Sequence, residues 1–203
     1  MNTRVKFSVV LLSLGLILAI LPSPAKRILK AKPERLVSLL NDEKSWFTAD
    51  QVARFVVSGD INVRIIDLRP ESEFRKMTIP GSVNIPYNEF IKKNPASFLA
   101  AGDVKNILCS DVEQEAANAF ILAKGLNFKN TYILKGSVNE WVKTVMNNSF
   151  SGDKITAREN ALFETRTRAS KMYTDFNNMP DSLKQKFFES RRLATKKLDG
   201  GCE

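Results

Sequence analysis

Apolar positions first form one unbroken block. Phe7–Leu21 carries no charged residue and shows no polar face, with Arg4 and Lys6 before it and Pro22-Ser23-Pro24-Ala25 after it. A core helix would show a polar side, so the block reads as a membrane-directed segment. Two forms of that reading stay open. As a signal peptide, residues 1–25 have a basic start, an apolar stretch and a small-x-small cleavage site ending at Ala25. As a single-pass anchor the stretch is short against the ~20 residues needed to cross about 30 Å of hydrocarbon. Lys26, Arg27, Lys30, Lys32 and Arg35 follow directly. That basic flank favours retention at the cell membrane over export, although the face stays open and cleavage after Ala25 leaves an exported or periplasmic product as the alternative.

Beyond it the pattern breaks into short periodic blocks. Residues 26–41 read as a basic linker lying on the membrane or on the body, with Pro33 opening a short amphipathic helix through Leu36, Val37, Leu39 and Leu40. Thr48-Ala49-Asp50-Gln51 is a capping-box pattern that opens a helix through Val57, closed by Ser58-Gly59-Asp60. Val63–Leu68 reads as a buried strand and Pro70–Arg75 as a short helix, while Ile79–Pro86 is a turn into a proline-bounded strand. A broken helix over Asn88–Ala101, a strand at Asn106–Cys109, a helix at Gln114–Leu126, a strand at Thr131–Leu134 and a helix at Val138–Met146 follow. Strands alternating with helices at this spacing predict an α/β fold with a parallel sheet and helices on both faces. Residues 148–203 form a C-terminal extension. Capping patterns at Thr156–Glu159 and Ser182–Gln185 predict a helical hairpin, with helices over 157–176 and 183–197, before a glycine-containing tail that carries Cys202.

Composition narrows the chemistry. The 203 residues include no histidine, which excludes Ser–His and Cys–His nucleophiles and every imidazole metal ligand. The two cysteines, Cys109 and Cys202, are too few for a zinc ribbon or a disulfide scaffold. No phosphate loop or metal-ligand spacing is present, so neither a cofactor nor a metal is expected. The net charge of +9 is concentrated at the start, where seven basic side chains stand against Glu34 within residues 1–35. That placement fits anionic lipid rather than nucleic acid.

In parallel sheets ligands sit at the carboxyl ends of strands. One such end is Cys109, followed by the loop Ser110-Asp111-Val112-Glu113-Gln114. With Ile66-Asp67-Leu68-Arg69, Glu73-Phe74, Ile79-Pro80-Gly81-Ser82-Val83-Asn84-Ile85-Pro86 and Leu134-Lys135-Gly136-Ser137-Val138-Asn139-Glu140-Trp141, residues 42–147 resemble a single rhodanese-like (sulfurtransferase) domain. The resemblance implies that Cys109 is the persulfide carrier. Asp67 and Arg69 are expected as a supporting ion pair, and Trp141 and Phe120 as core. The loop departs from the family pattern: Val112 stands at a glycine position, Gln114 at an arginine position, and Met77-Thr78 where the family has Gly-His.

Asp111, Glu113 and Glu115 crowd the thiol. A carboxylate about 6 Å away, at an effective dielectric near 40, costs the thiolate roughly 1.4 kcal/mol, more than the 0.3–1 kcal/mol a helix N-terminus returns. A neutral Cys109 is expected, with those carboxylates otherwise solvated. Two functions follow. The first is sulfane-sulfur handling through Cys109, with weak or absent thiosulfate activity. The second is a non-catalytic binding module that holds a protein partner at the membrane. Cys202 is expected as a mobile thiol able to pair with Cys109 or to serve another protein.

Overall fold

The computed structural model describes residues 12–13, 31–93, 95–99, 102–149, 156–187 and 189–190. Most of the apolar segment, the start of the basic linker, and the tail with Cys202 lie outside the described residues, and with them the expectations placed there. Among the described residues no helix is long and apolar enough to cross a membrane.

Helix α1 (Pro33–Leu40) begins on proline, whose missing N–H is no loss in a first turn. Its Leu36 is buried, and the Trp46 indole N–H donates to the Leu40 carbonyl at 2.8 Å, so this half of the linker is docked on the body. Strand β1 (Trp46–Phe47) leads into α2 (Ala49–Ser58). Both halves of the expected capping box form at Thr48 and Gln51, and Gly59 closes the helix in the left-handed region at φ 63°. There follow β2 (Val63–Asp67), α3 (Glu71–Lys76), β3 (Val83–Asn84), α4 (Tyr87–Lys92), a 3-10 turn (Pro95–Ser97) and β4 (Lys105–Cys109). Then come α5 (Glu113–Gly125), β5 (Thr131–Leu134), α6 (Ser137–Met146) and α7 (Ala157–Asn177).

The five strands pair in parallel in the order β1-β5-β4-β2-β3. Alternation along the strands divides the core between two faces. Val63, Ile65, Ile107, Cys109 and Leu134 point to the face covered by α2, α6 and α7. Ile66, Leu108 and Ile133 point to the other, covered by α5 and α4, with Leu39 and Leu40 of α1 against it. Burial on both sides explains the consecutive apolar pairs Ile65-Ile66 and Ile107-Leu108 at the middle of the two strands.

Among the described residues the C-terminal extension holds two helices. The first runs to Asn177, with the capping box at Thr156 complete. The second opens earlier than its sequence pattern suggests, at residue 181: Pro180 supplies the first accepting carbonyl, to the Leu183 N–H, so Ser182 lies inside the first turn instead of capping it. Phe187 of this second helix packs edge-on against Phe176 of α7, with ring centroids 5.2 Å apart.

Candidate functional site

Register decides what surrounds the thiol. In the β2–β4 pairing Asp67 lies directly opposite Cys109, so both strands end at the same level. Cys109 is fully buried among side chains of the α2/α6/α7 face, and its thiol donates to the Ile66 carbonyl at 3.5 Å. Burial pushes the thiol pKa well above its ordinary value; Asp67 and Asp111 add to this, and Arg69 opposes it. The shift runs in the direction expected of a neutral thiol, but its main cause is burial and not the loop carboxylates.

Asp111 and Glu113 are exposed, as expected, but each of the three carboxylates also holds a partner within the fold. Glu115 accepts from the Ser110 hydroxyl at 2.6 Å, and Glu113 accepts the Gly136 N–H at 2.8 Å. Asp111 accepts from the Asn139 amide at 3.2 Å and faces the Arg69 guanidinium at 3.7 Å. Burial lifts the Asp111 carboxyl above its usual range, with Arg69 opposing and Asp67, Glu73 and Glu115 reinforcing. Gln114 bonds along its own helix to Asn118, while Val112 leaves its side chain exposed at the loop crest.

Beneath the loop, Asp67 and Arg69 form a buried, forked ion pair. Arg69 Nε and Nη2 donate to the Asp67 carboxylate at 3.0 and 2.7 Å, and the Arg69 backbone N–H adds a bond of 3.0 Å. Arg69 Nη2 also donates to the Met77 carbonyl at 2.7 Å. Burial works against the cation, but hydrogen bonding and charge pairing with Asp67 overcome it and hold the guanidinium above its ordinary pKa. Thr78 and Ser82 share a hydroxyl–hydroxyl bond of 2.7 Å, and Thr78 Oγ1 approaches Asp67 at 3.5 Å.

The turn between β5 and α6 clamps the loop from the side. Besides the Gly136 and Asn139 contacts, the Val138 N–H donates to the Ser110 carbonyl at 3.1 Å. Ser137 adopts φ 84°, a left-handed conformation that costs a residue with a Cβ about 1–2 kcal/mol. Its hydroxyl accepts from the Glu140 N–H at 3.4 Å, which recovers part of that cost as a long N-cap bond.

Two contributors were missing from the sequence-based site. Both come from α7. Tyr173 is buried with Cys109 and Trp141 on the same face, its ring centroid 5.8 Å from that of Trp141. Burial raises the Tyr173 phenol and Arg69 lowers it, which places the hydroxyl within the field of the guanidinium. Asn177 grips the backbone of Thr78 at both ends, accepting from its N–H at 2.9 Å and donating to its carbonyl at 3.0 Å. A polar residue on the helix stripe of Tyr173 and Phe176 was the available signal, but nothing local pointed it to Thr78.

An open groove of about 500 Å³ lies beside the site, lined by Asn41, Trp46, Gln51, Glu113 and Lys135 among others. It meets the loop through Glu113, and Cys109 is not in its wall. Among the described residues no group of three carboxylates or thiols is arranged to hold a metal ion.

Residues 48–144 match the family model of the rhodanese-like domain, slightly less than half of the chain. A thiosulfate:glutathione sulfurtransferase of Saccharomyces cerevisiae is 27% identical over 120 residues, covering 54% of this chain and 81% of that protein. Among solved structures, a single-domain sulfurtransferase of S. cerevisiae is 24% identical with a TM-score of 0.44, covering 49% of this chain and 89% of its own. A human single-domain sulfurtransferase is 24% identical with a TM-score of 0.40, covering 49% and 96%.

Proposed function

We propose that this protein, whose residues 48–144 form a rhodanese-like domain, carries sulfane sulfur on Cys109. The observation that supports the reading is the position of the thiol: it ends the central strand β4, beside the buried Arg69, four residues before the N-terminus of the 13-residue helix α5. In the reaction the Cys109 thiolate attacks the outer sulfur of a thiosulfate or a persulfide. The bond to sulfite or to the donor thiolate breaks, and the leaving group departs with its electron pair. The helix end and Arg69 favour the anion so formed, while Asp67 and Asp111 oppose it. The balance makes classical thiosulfate turnover slow. Incubation with thiosulfate, and separately with a low-molecular-weight persulfide, followed by mass spectrometry of the intact chain and its peptides, should show a gain of one sulfur atom on Cys109. Absence of the adduct with both donors removes the enzymatic reading.

One observation favours a second reading. Every loop carboxylate is engaged within the fold, Val112 stands exposed where the family has glycine, and Gln114 faces its own helix where the family has arginine. A loop so organised suits a non-catalytic binding module. The double replacement Val112→Gly with Gln114→Arg separates the two: if sulfur loading is seen only in that variant, the natural loop is a lost site. The uncharged block Phe7–Leu21 with its basic flank supports a position at a membrane, and fractionation with N-terminal sequencing of the mature chain tests it.

A further inference from the structure

Cys109 has no exposed surface, so a sulfur donor cannot touch it in the conformation described. The buried cluster that holds Cys109 on the α2/α6/α7 face also includes Ala169 and Tyr173 of α7, a helix wholly outside the matched domain of 48–144. Two points hold α7 down. Near its middle Arg166 makes a forked ion pair with Asp50 of α2, at 2.6 and 2.9 Å, both side chains about one-quarter exposed. At its end Asn177 grips Thr78. From Thr78 the contacts run on through Asp67 and Arg69 to Asp111 beside the thiol. The end of α7 is thus tied to the site by an unbroken series of polar contacts.

The closed arrangement is not fully satisfied. Tyr173 Oη and Trp141 Nε1 are buried with no hydrogen-bond partner among the described residues. Burying a donor without an acceptor is unfavourable, and lifting the C-terminal half of α7 gives the Tyr173 hydroxyl access to water. Opening is therefore opposed by the Asn177 bonds and apolar contacts but assisted by hydration of the phenol. Local openings of this kind are common for elements packed on a stable core.

We propose that α7 is a built-in cover over the buried cluster that holds Cys109, latched by Asn177 on Thr78, and that Cys109 reacts only when the C-terminal half of this helix lifts. The proposal rests on Cys109 as the reacting thiol, but its test does not require sulfur chemistry. Cys202→Ser leaves Cys109 as the remaining cysteine, and iodoacetamide, a small neutral electrophile, reports its exposure through alkylation followed by mass spectrometry. In this background alkylation is slow, and its rate rises with urea much less steeply than global unfolding does. Asn177→Ala, which removes both bonds to Thr78, speeds alkylation by about tenfold. Tyr173→Phe, which removes the unsatisfied hydroxyl but keeps the ring, slows it.

The opposite signs distinguish a latch from simple loosening. Should Asn177→Ala fold too poorly to assay, the urea slope of the parent decides the matter alone. The proposal is overturned if the parent reacts as fast as the unfolded chain. It is equally overturned if the urea slope equals that of global unfolding, or if Asn177→Ala leaves the alkylation rate unchanged. Sulfur loading from thiosulfate then separates the two claims. Faster alkylation in Asn177→Ala with no adduct in any variant keeps the cover and removes the sulfur reading. Full loading at equal rates in parent and Asn177→Ala removes the cover and keeps the sulfur reading.

Discussion

Ser137 offers a test of backbone strain at the clamp beside Cys109. Its φ of 84° lies where only glycine is at ease, and its hydroxyl partly compensates through the 3.4 Å bond from Glu140 N–H. Replacing Ser137 by Gly removes about 1–2 kcal/mol of left-handed strain. Against that stand the lost cap, a few tenths for a glycine replacement, and about 0.4–1 kcal/mol of added freedom in the unfolded chain. Ser137→Gly should therefore gain about 0.5 kcal/mol. Ser137→Ala keeps the strain and loses the cap, about 1 kcal/mol below the parent. The decisive quantity is the difference between the variants, about 1.5 kcal/mol with Gly above Ala, or roughly 3–6 °C in Tm for a chain of this size. At a position with ordinary helical backbone the order reverses, because there Gly is worse than Ala by about 0.5–1 kcal/mol. Urea unfolding followed by circular dichroism measures both. An Ala variant as stable as the Gly variant would refute the strain argument.

Arg69→Met should cost about 3–5 kcal/mol, because it strands the fully buried Asp67 carboxylate; Asp67→Asn added to it should recover much of the loss, read by the same urea midpoints. The buried thiol predicts a pH effect on stability of definite sign. Its folded pKa lies well above the ordinary 9.0, so its contribution is intact below that value and is lost as pH rises past it, where the unfolded thiol ionises and the folded one does not. Parent and Cys109→Ala should diverge above about pH 9 with a slope approaching 1.4 kcal/mol per pH unit, and parallel curves would contradict the burial. Arg166→Ala should lower global stability by no more than about 1 kcal/mol, since the ion pair to Asp50 is partly solvated.

The body of the fold was legible because its signals are local. Thr48 and Gln51 satisfy each other within one turn, and Ile65-Ile66 and Ile107-Leu108 are consecutive apolar residues because both faces of their strands are covered. The position of Cys109 was legible for the same reason, as a strand end followed by a helix start. Its environment was not. Glu113 and Glu115 look like free carboxylates in sequence because their donors, Gly136 N–H and the Ser110 hydroxyl, are set by tertiary placement and side-chain rotamer. Asn177 lies 99 positions from Thr78, and no periodicity announces a bond across that distance. The strain at Ser137 leaves no mark in the sequence, because serine is an ordinary turn residue.

Strand order also imposes a schedule on biosynthesis. β1, made first, sits at one edge and pairs only with β5, so Trp46 must wait for Ile133 before it has a backbone partner. A ribosome adds roughly 5–20 residues per second, so the nascent chain holds β2 and β4 together with an open edge for about one to five seconds. Until β5 arrives, the apolar run of NILC is a surface available to chaperones or to neighbouring chains. Helix α7 emerges later still, and its Ala169 and Tyr173 complete the buried cluster that holds Cys109. The interval between synthesis of β4 and docking of α7 is therefore the period in the life of the chain when that thiol is most open to solvent.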